Sequence, residues 1–126
     1  MENKDERIEI ETKEIDLPKI DLTKYVGKKA IISDAGTYKG QYGYYAKFET
    51  AVLETLKEMK EPVEVKASVI FGLQVDKNDV VGWGKETKLG KFLAKYGCKT
   101  INDMVGKEVL IQIKNGKEGA EFLTIV

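Results

Sequence analysis

Histidine is absent from the 126 residues, and cysteine occurs once, at Cys98. No internal disulfide can form, imidazole acid/base catalysis is excluded, and a thiolate or imidazole zinc site lacks its ligands. Arginine also occurs once, at Arg7, and there are only two prolines, four asparagines and three glutamines. No run approaches the roughly 18 apolar residues that a membrane span requires. Residues 1–7 are polar, unlike a signal peptide, so a cytoplasmic protein with no membrane contact is expected.

What is present is charge. Charged residues make up 33% of the chain, dominated by 20 lysines and 14 glutamates. A Lys/Glu-rich, Asn/Gln/Cys-poor composition is that of hyperthermophile proteins, because the hydration of ions becomes less favourable on heating and paired charges lose less. The zero net charge conceals an uneven distribution. Residues 1–22 hold eight carboxylates against four bases, whereas residues 85–107 hold six lysines against Glu86 and Asp103. Residues 1–20 therefore read as an acidic, partly ordered arm, with Ile8, Ile10 and Thr12 alternating as a short edge strand would, and residues 21–126 as the folded domain. A domain of this length buries roughly two thirds of its unfolded surface without staples.

Along the domain, Ala30-Ile31-Ile32 opens a first strand that ends near Asp34-Ala35-Gly36, and a glycine-punctuated stretch follows. A second strand runs from Tyr44 to about Leu53, with Tyr44, Ala46, Phe48 and Val52, and Tyr42 before them, on its core parity and Tyr45, Lys47 and Glu49 on the other. Residues 50–60 fit a strand leading to a connection, although Leu53, Leu56 and Met59 also have helical spacing. Val63, Val65, Ala67, Val69, Phe71, Leu73 and Val75 share one parity, which predicts one long strand over 63–75. Leu89, Phe92, Leu93 and Tyr96 fall at i, i+3, i+4 and i+7, a helix stopped by Gly97. Thr100 with Asp103 resembles a capping pair, and two strands close the chain. The expected fold is mainly β: a five-stranded Greek-key barrel with one helix between strands 3 and 4.

That arrangement resembles the OB-fold, and within it the small phage-type and archaeal single-stranded DNA-binding proteins. The residues that carry the resemblance are Tyr38-Lys39-Gly40-Gln41-Tyr42-Gly43, Lys88-Leu89-Gly90-Lys91-Phe92-Leu93, Tyr96-Gly97, Val105-Gly106-Lys107-Glu108-Val109 and Phe122-Leu123-Thr124-Ile125. It covers roughly residues 25–126 and implies a sequence-tolerant binder of single strands, used in replication, repair or recombination.

The residues themselves suit that chemistry. Every base offers a π-face to an aromatic ring, and lysines follow phosphates. Tyr45 and Tyr38 are the candidate stackers, and Lys39, Lys47, Lys66 and Lys85 the candidate phosphate contacts. Trp83, between two glycines, is either a further base platform or a lid on one end of the barrel, and the tyrosines have the alternative role of closing the barrel rim. Catalysis is not expected, since Ser33, Ser68 and Cys98 have no histidine to activate them. Asp76, Asp79 and Glu86 lack the spacing of a calcium loop, so neither metal nor cofactor is expected. Gly40-x-x-Gly43 leads into a strand, where a phosphate-binding loop needs a helix. The rival reading is a protein-interaction module whose acidic arm docks on a basic partner.

Overall fold

A computed structural model describes residues 9–14, 21–57, 60–116 and 119–126. A 3-10 turn at Leu22–Tyr25 precedes β1 (Lys29–Gly40), β2 (Gly43–Thr50), β3 (Glu54–Leu56), β4 (Val63–Val65), β5 (Ser68–Gly72), β6 (Gln74–Val75) and β7 (Val81–Gly82). Helix α1 (Lys88–Lys95), a 3-10 turn at Asn102–Met104, β8 (Glu108–Asn115) and β9 (Glu121–Ile125) complete the chain. One antiparallel sheet has the order β5-β2-β1-β8-β9, and the pairs β3–β4 and β6–β7 stand apart from it.

The helix forms where its apolar stripe and caps require. The Thr87 hydroxyl accepts the Gly90 N–H at 3.1 Å, the stripe Leu89, Phe92 and Leu93 is buried, and Gly97, at φ +69°, turns the chain away. Gly90 is dictated by packing, because a Cβ there would collide with the carbonyl oxygen of Gly84. Phe92 meets Phe48 of β2 and Phe71 of β5 at ring-centroid distances of 5.5 and 5.0 Å, which fixes the helix against the sheet. Ile32, Val109, Ile111, Leu123 and Met104 fill the rest of the core. Farther on, the Thr100 hydroxyl accepts the Asp103 N–H and Asp103 accepts the Thr100 N–H at 3.0 Å, so the capping pair read from sequence opens the second 3-10 turn.

Three expectations are corrected. The helix follows the seventh strand, not the third, and the main sheet is not a closed barrel: its edge strands β5 and β9 come within 8 Å Cα to Cα without a hydrogen-bonded ladder. The single strand over 63–75 is three, because its partner changes from β3 to β2 to β7. At the first change the Ala67 N–H bonds to the buried Thr50 hydroxyl at 2.9 Å instead of to a strand carbonyl. Its parity survives in the middle, with Val65 and Ala67 buried and Val69, Phe71 and Leu73 half-buried, but fails at both ends, where Val63 and Val75 are exposed. Finally, β1 does not end near Gly36 but runs on to Gly40 and turns through Gln41-Tyr42 directly into β2, so the glycine-rich stretch is the distal half of a hairpin.

Residues 9–14 are exposed and carry no regular element, and Ile8 and most of the proposed arm lie outside the described residues. Among the described residues no helix is long and apolar enough to cross a membrane.

Candidate functional site

A one-residue bulge decides which side chains β1 shows to solvent. Ile32 pairs with Thr50, but Asp34 already pairs with Glu49, so Ser33 is the extra residue. Before it, Ala30 and Ile32 point inward; after it, the inward parity passes to Ala35 and the outward one to Asp34, Gly36 and Tyr38. Across β2 and β5 the same outward face carries Tyr45, Lys47 and Glu49, then Ser68, Ile70 and Gly72.

Tyr38 and Tyr45 are direct cross-strand partners, and their rings stack at 5.4 Å with an interplanar angle of 26°. Glycines provide their seats. A Cβ on Gly36 would meet the Tyr38 ring at 3.2 Å, and one on Gly40 would meet the Tyr45 ring at 3.1 Å. The two rings thus lean over β1, covering glycine backbone. Tyr38 is 41% exposed and Ile70 58% exposed, so the outward face is an open aromatic and aliphatic surface.

Its charge is locally compensated. Lys47 Nζ lies 2.8 Å from Glu49 Oε1, and Lys66 Nζ lies 2.6 Å from Glu49 Oε2, one carboxylate bridging two ammonium groups. Lys47 and then Lys66 hold the Glu49 carboxyl below the usual carboxylate range, and Glu49 in turn raises the Lys47 ammonium. A depressed carboxylate stabilises the fold above its unfolded pKa and loses that contribution as pH falls through the folded value. The bridge therefore persists through neutral pH and opens in acid.

The other expected residues are dispersed. Lys39 sits on the opposite parity, with its ammonium 5.7 Å from the centroid of the Tyr44 ring. Tyr44 has the inward parity read from sequence but is only half-buried, and Tyr42, expected in the core, is 97% exposed. The cause is geometric: the hairpin extends beyond the core, so its inward face at Thr37 and Lys39 is wet. Trp83 is half-buried against the core and lines a depression of ≈ 690 Å³ with Val75, Asp76 and Val80, while Lys85 is exposed in the connection to α1. Neither belongs to the β1–β2–β5 face. Asp76 is occupied by its own turn, accepting the Asn78 and Val80 N–H groups at 2.8 and 2.9 Å, and among the described residues no cluster of three metal-ligating side chains exists. Cys98 is buried, its thiol directed to the Tyr96 carbonyl at 3.6 Å.

Sequence reasoning put Glu49 on the parity of Tyr45 and Lys47, and Ile70 and Gly72 on the polar parity of residues 63–75, but named none of the three as a site residue. Ile70 carried a signal, as the one apolar side chain on the polar parity of residues 63–75. No protein-family model, curated protein or solved structure matches the chain.

Proposed function

We propose that this chain is a non-catalytic, sequence-tolerant binder of single-stranded nucleic acid, DNA in the first instance, acting in replication, repair or recombination in the cytoplasm of a thermophile. The observation that carries the reading is the Tyr38–Tyr45 stack on an exposed sheet face beside Lys47. Stacked rings offer bases a platform that requires no particular sequence, and the glycines beneath leave room for them. The finer fold reading is a partly open five-stranded Greek-key barrel of the OB type. The order β5-β2-β1-β8-β9, with β5 and β9 as neighbouring edges and α1 joining β7 to β8, supports it.

Fluorescence-anisotropy titration of a labelled oligothymidylate at several salt concentrations tests the proposal. Three to five engaged lysines give a slope of log K against log salt of roughly −2 to −3.5. A flat salt response with retained affinity removes the electrostatic half of the reading, and no binding at low salt removes the whole. Glu49 offers a second measurement, since its carboxylate competes with phosphate for Lys47 and Lys66. Glu49→Gln is expected to tighten binding severalfold and to steepen the slope by about 0.7 for each lysine that gains a phosphate. Unchanged affinity and slope would mean that neither lysine touches the backbone.

The same neutralisation favours the second reading, a protein-interaction module, because a compensated face with exposed Ile70 and Tyr38 suits an uncharged protein surface. On that reading the acidic arm, residues 1–20, docks on the basic surface of the partner. The Glu49→Gln titration separates the two, since an interaction module gains no affinity for oligonucleotide.

A further inference from the structure

Beside the tyrosine pair the outward face has a gap. On β1 and β2 the cross-strand row is filled by Tyr38 and Tyr45, but the next position in the row, on β5, is Gly72. A Cβ built on Gly72 meets nothing within 4 Å, and its backbone is outside the left-handed region, so neither sterics nor conformation requires glycine there. The vacancy belongs to a depression of ≈ 370 Å³ lined by the glycines 40, 43 and 72, by Tyr42, Tyr44 and Tyr45, and by Gln41 and Ile70. Across β5, Ile70 and Gly72 also line a second depression of ≈ 360 Å³ that reaches Thr87 and Lys88 at the start of α1. Lys88 is exposed.

Resting on the single-strand reading above, we infer that Gly72 is the floor of a slot for one unpaired nucleobase. The base lies over Gly72 with a face toward Tyr45 and an edge on Ile70, and its phosphate lies on the side of Lys88. Gly72 closes β5, and glycine at a paired strand position withdraws a side chain that could pack. Here that loss is accompanied by an aromatic wall on one side, an aliphatic wall on the other and a lysine beyond, which is the set of contacts a planar, hydrophobic-faced, phosphate-linked group requires. The exposed lining of the slot is mostly apolar, so it discriminates little between bases.

Plugging the slot tests the inference. Gly72→Val should fold at least as well as the parent, since valine favours strands and nothing occupies the space of its side chain. Its affinity for oligothymidylate should fall about 5- to 150-fold, the equivalent of one stacked base. In the parent, replacing the nucleotides one at a time by an abasic residue should weaken binding at one position more than elsewhere, and in Gly72→Val that sensitivity should disappear. Gly72→Ala, a smaller plug, gives the same trend if valine perturbs the hairpin. Affinity within twofold of the parent in a folded variant overturns the slot while leaving the tyrosine platform standing. Failure of the parent itself to bind any oligonucleotide at low salt overturns the single-strand reading and the slot with it.

Discussion

Phe48→Ala is expected to lower the free energy of unfolding by about 3–5 kcal/mol, as truncation of a large buried aromatic does. Phe48 has no solvent exposure, and its ring is the hinge between the sheet and the helix: it meets Phe71 edge-on at 6.0 Å and Phe92 at 5.5 Å. Removing it leaves a cavity at the centre of that three-ring cluster and abolishes two of its three aromatic contacts. Against a total stability on the order of 5–15 kcal/mol for a domain of this size, the loss is large. A thermal melt followed by circular dichroism should show the midpoint falling by roughly 10–20 °C. Ile70→Ala, on the exposed side of the same sheet, should shift it by only a few degrees. Equal shifts for the two would show that Phe48 is not where the core is anchored.

The second large effect is on binding. Tyr38→Ala and Tyr45→Ala should each weaken single-strand affinity by about 1–3 kcal/mol, and the double variant by less than their sum, because each ring supports the other. Tyr44→Ala makes the informative contrast. It neighbours Tyr45 in sequence but takes the other side of β2, under Lys39, and only borders the depression at the hairpin tip, so its loss should weaken affinity per folded molecule much less than loss of Tyr45. Anisotropy titrations on the three variants, each normalised to its folded fraction, decide the matter. A Tyr44→Ala defect as large as that of Tyr45→Ala would mean that the wrong face has been assigned.

How much of this was legible in the sequence depends on the range of the interaction that fixes each feature. Helix α1 was legible because its stripe and its Gly97 stop lie within ten residues of one another. The inward parity of Val65, Ala67, Val69, Phe71 and Leu73 was legible for the same reason. Its division into three strands was not, since a change of hydrogen-bonding partner leaves no mark on alternation. Tyr42 was read as core from parity, but parity only says which side of a strand a residue takes, and Tyr42 sits at the tip of a hairpin that has outrun the core. Gly36 and Gly40 read in the sequence as the end of a strand and punctuation after it; in the fold they are seats for rings. The Glu49 bridge was invisible because Lys66 reaches it from the connection between β4 and β5, and only the register of β5 on β2 sets that distance.

The extra residue at Ser33 gives β1 two reading frames. Its first segment is phased to the core by Ala30 and Ile32, and its second is phased to the hairpin by Ala35, so the two can be altered separately. Removing Ser33 would leave both tyrosines in the sequence and yet turn the distal strand over, carrying Tyr38 off the face of Tyr45 and Ala35 away from Phe48. The surface proposed to meet the ligand is thus determined by a count of residues upstream of it as much as by the tyrosines themselves.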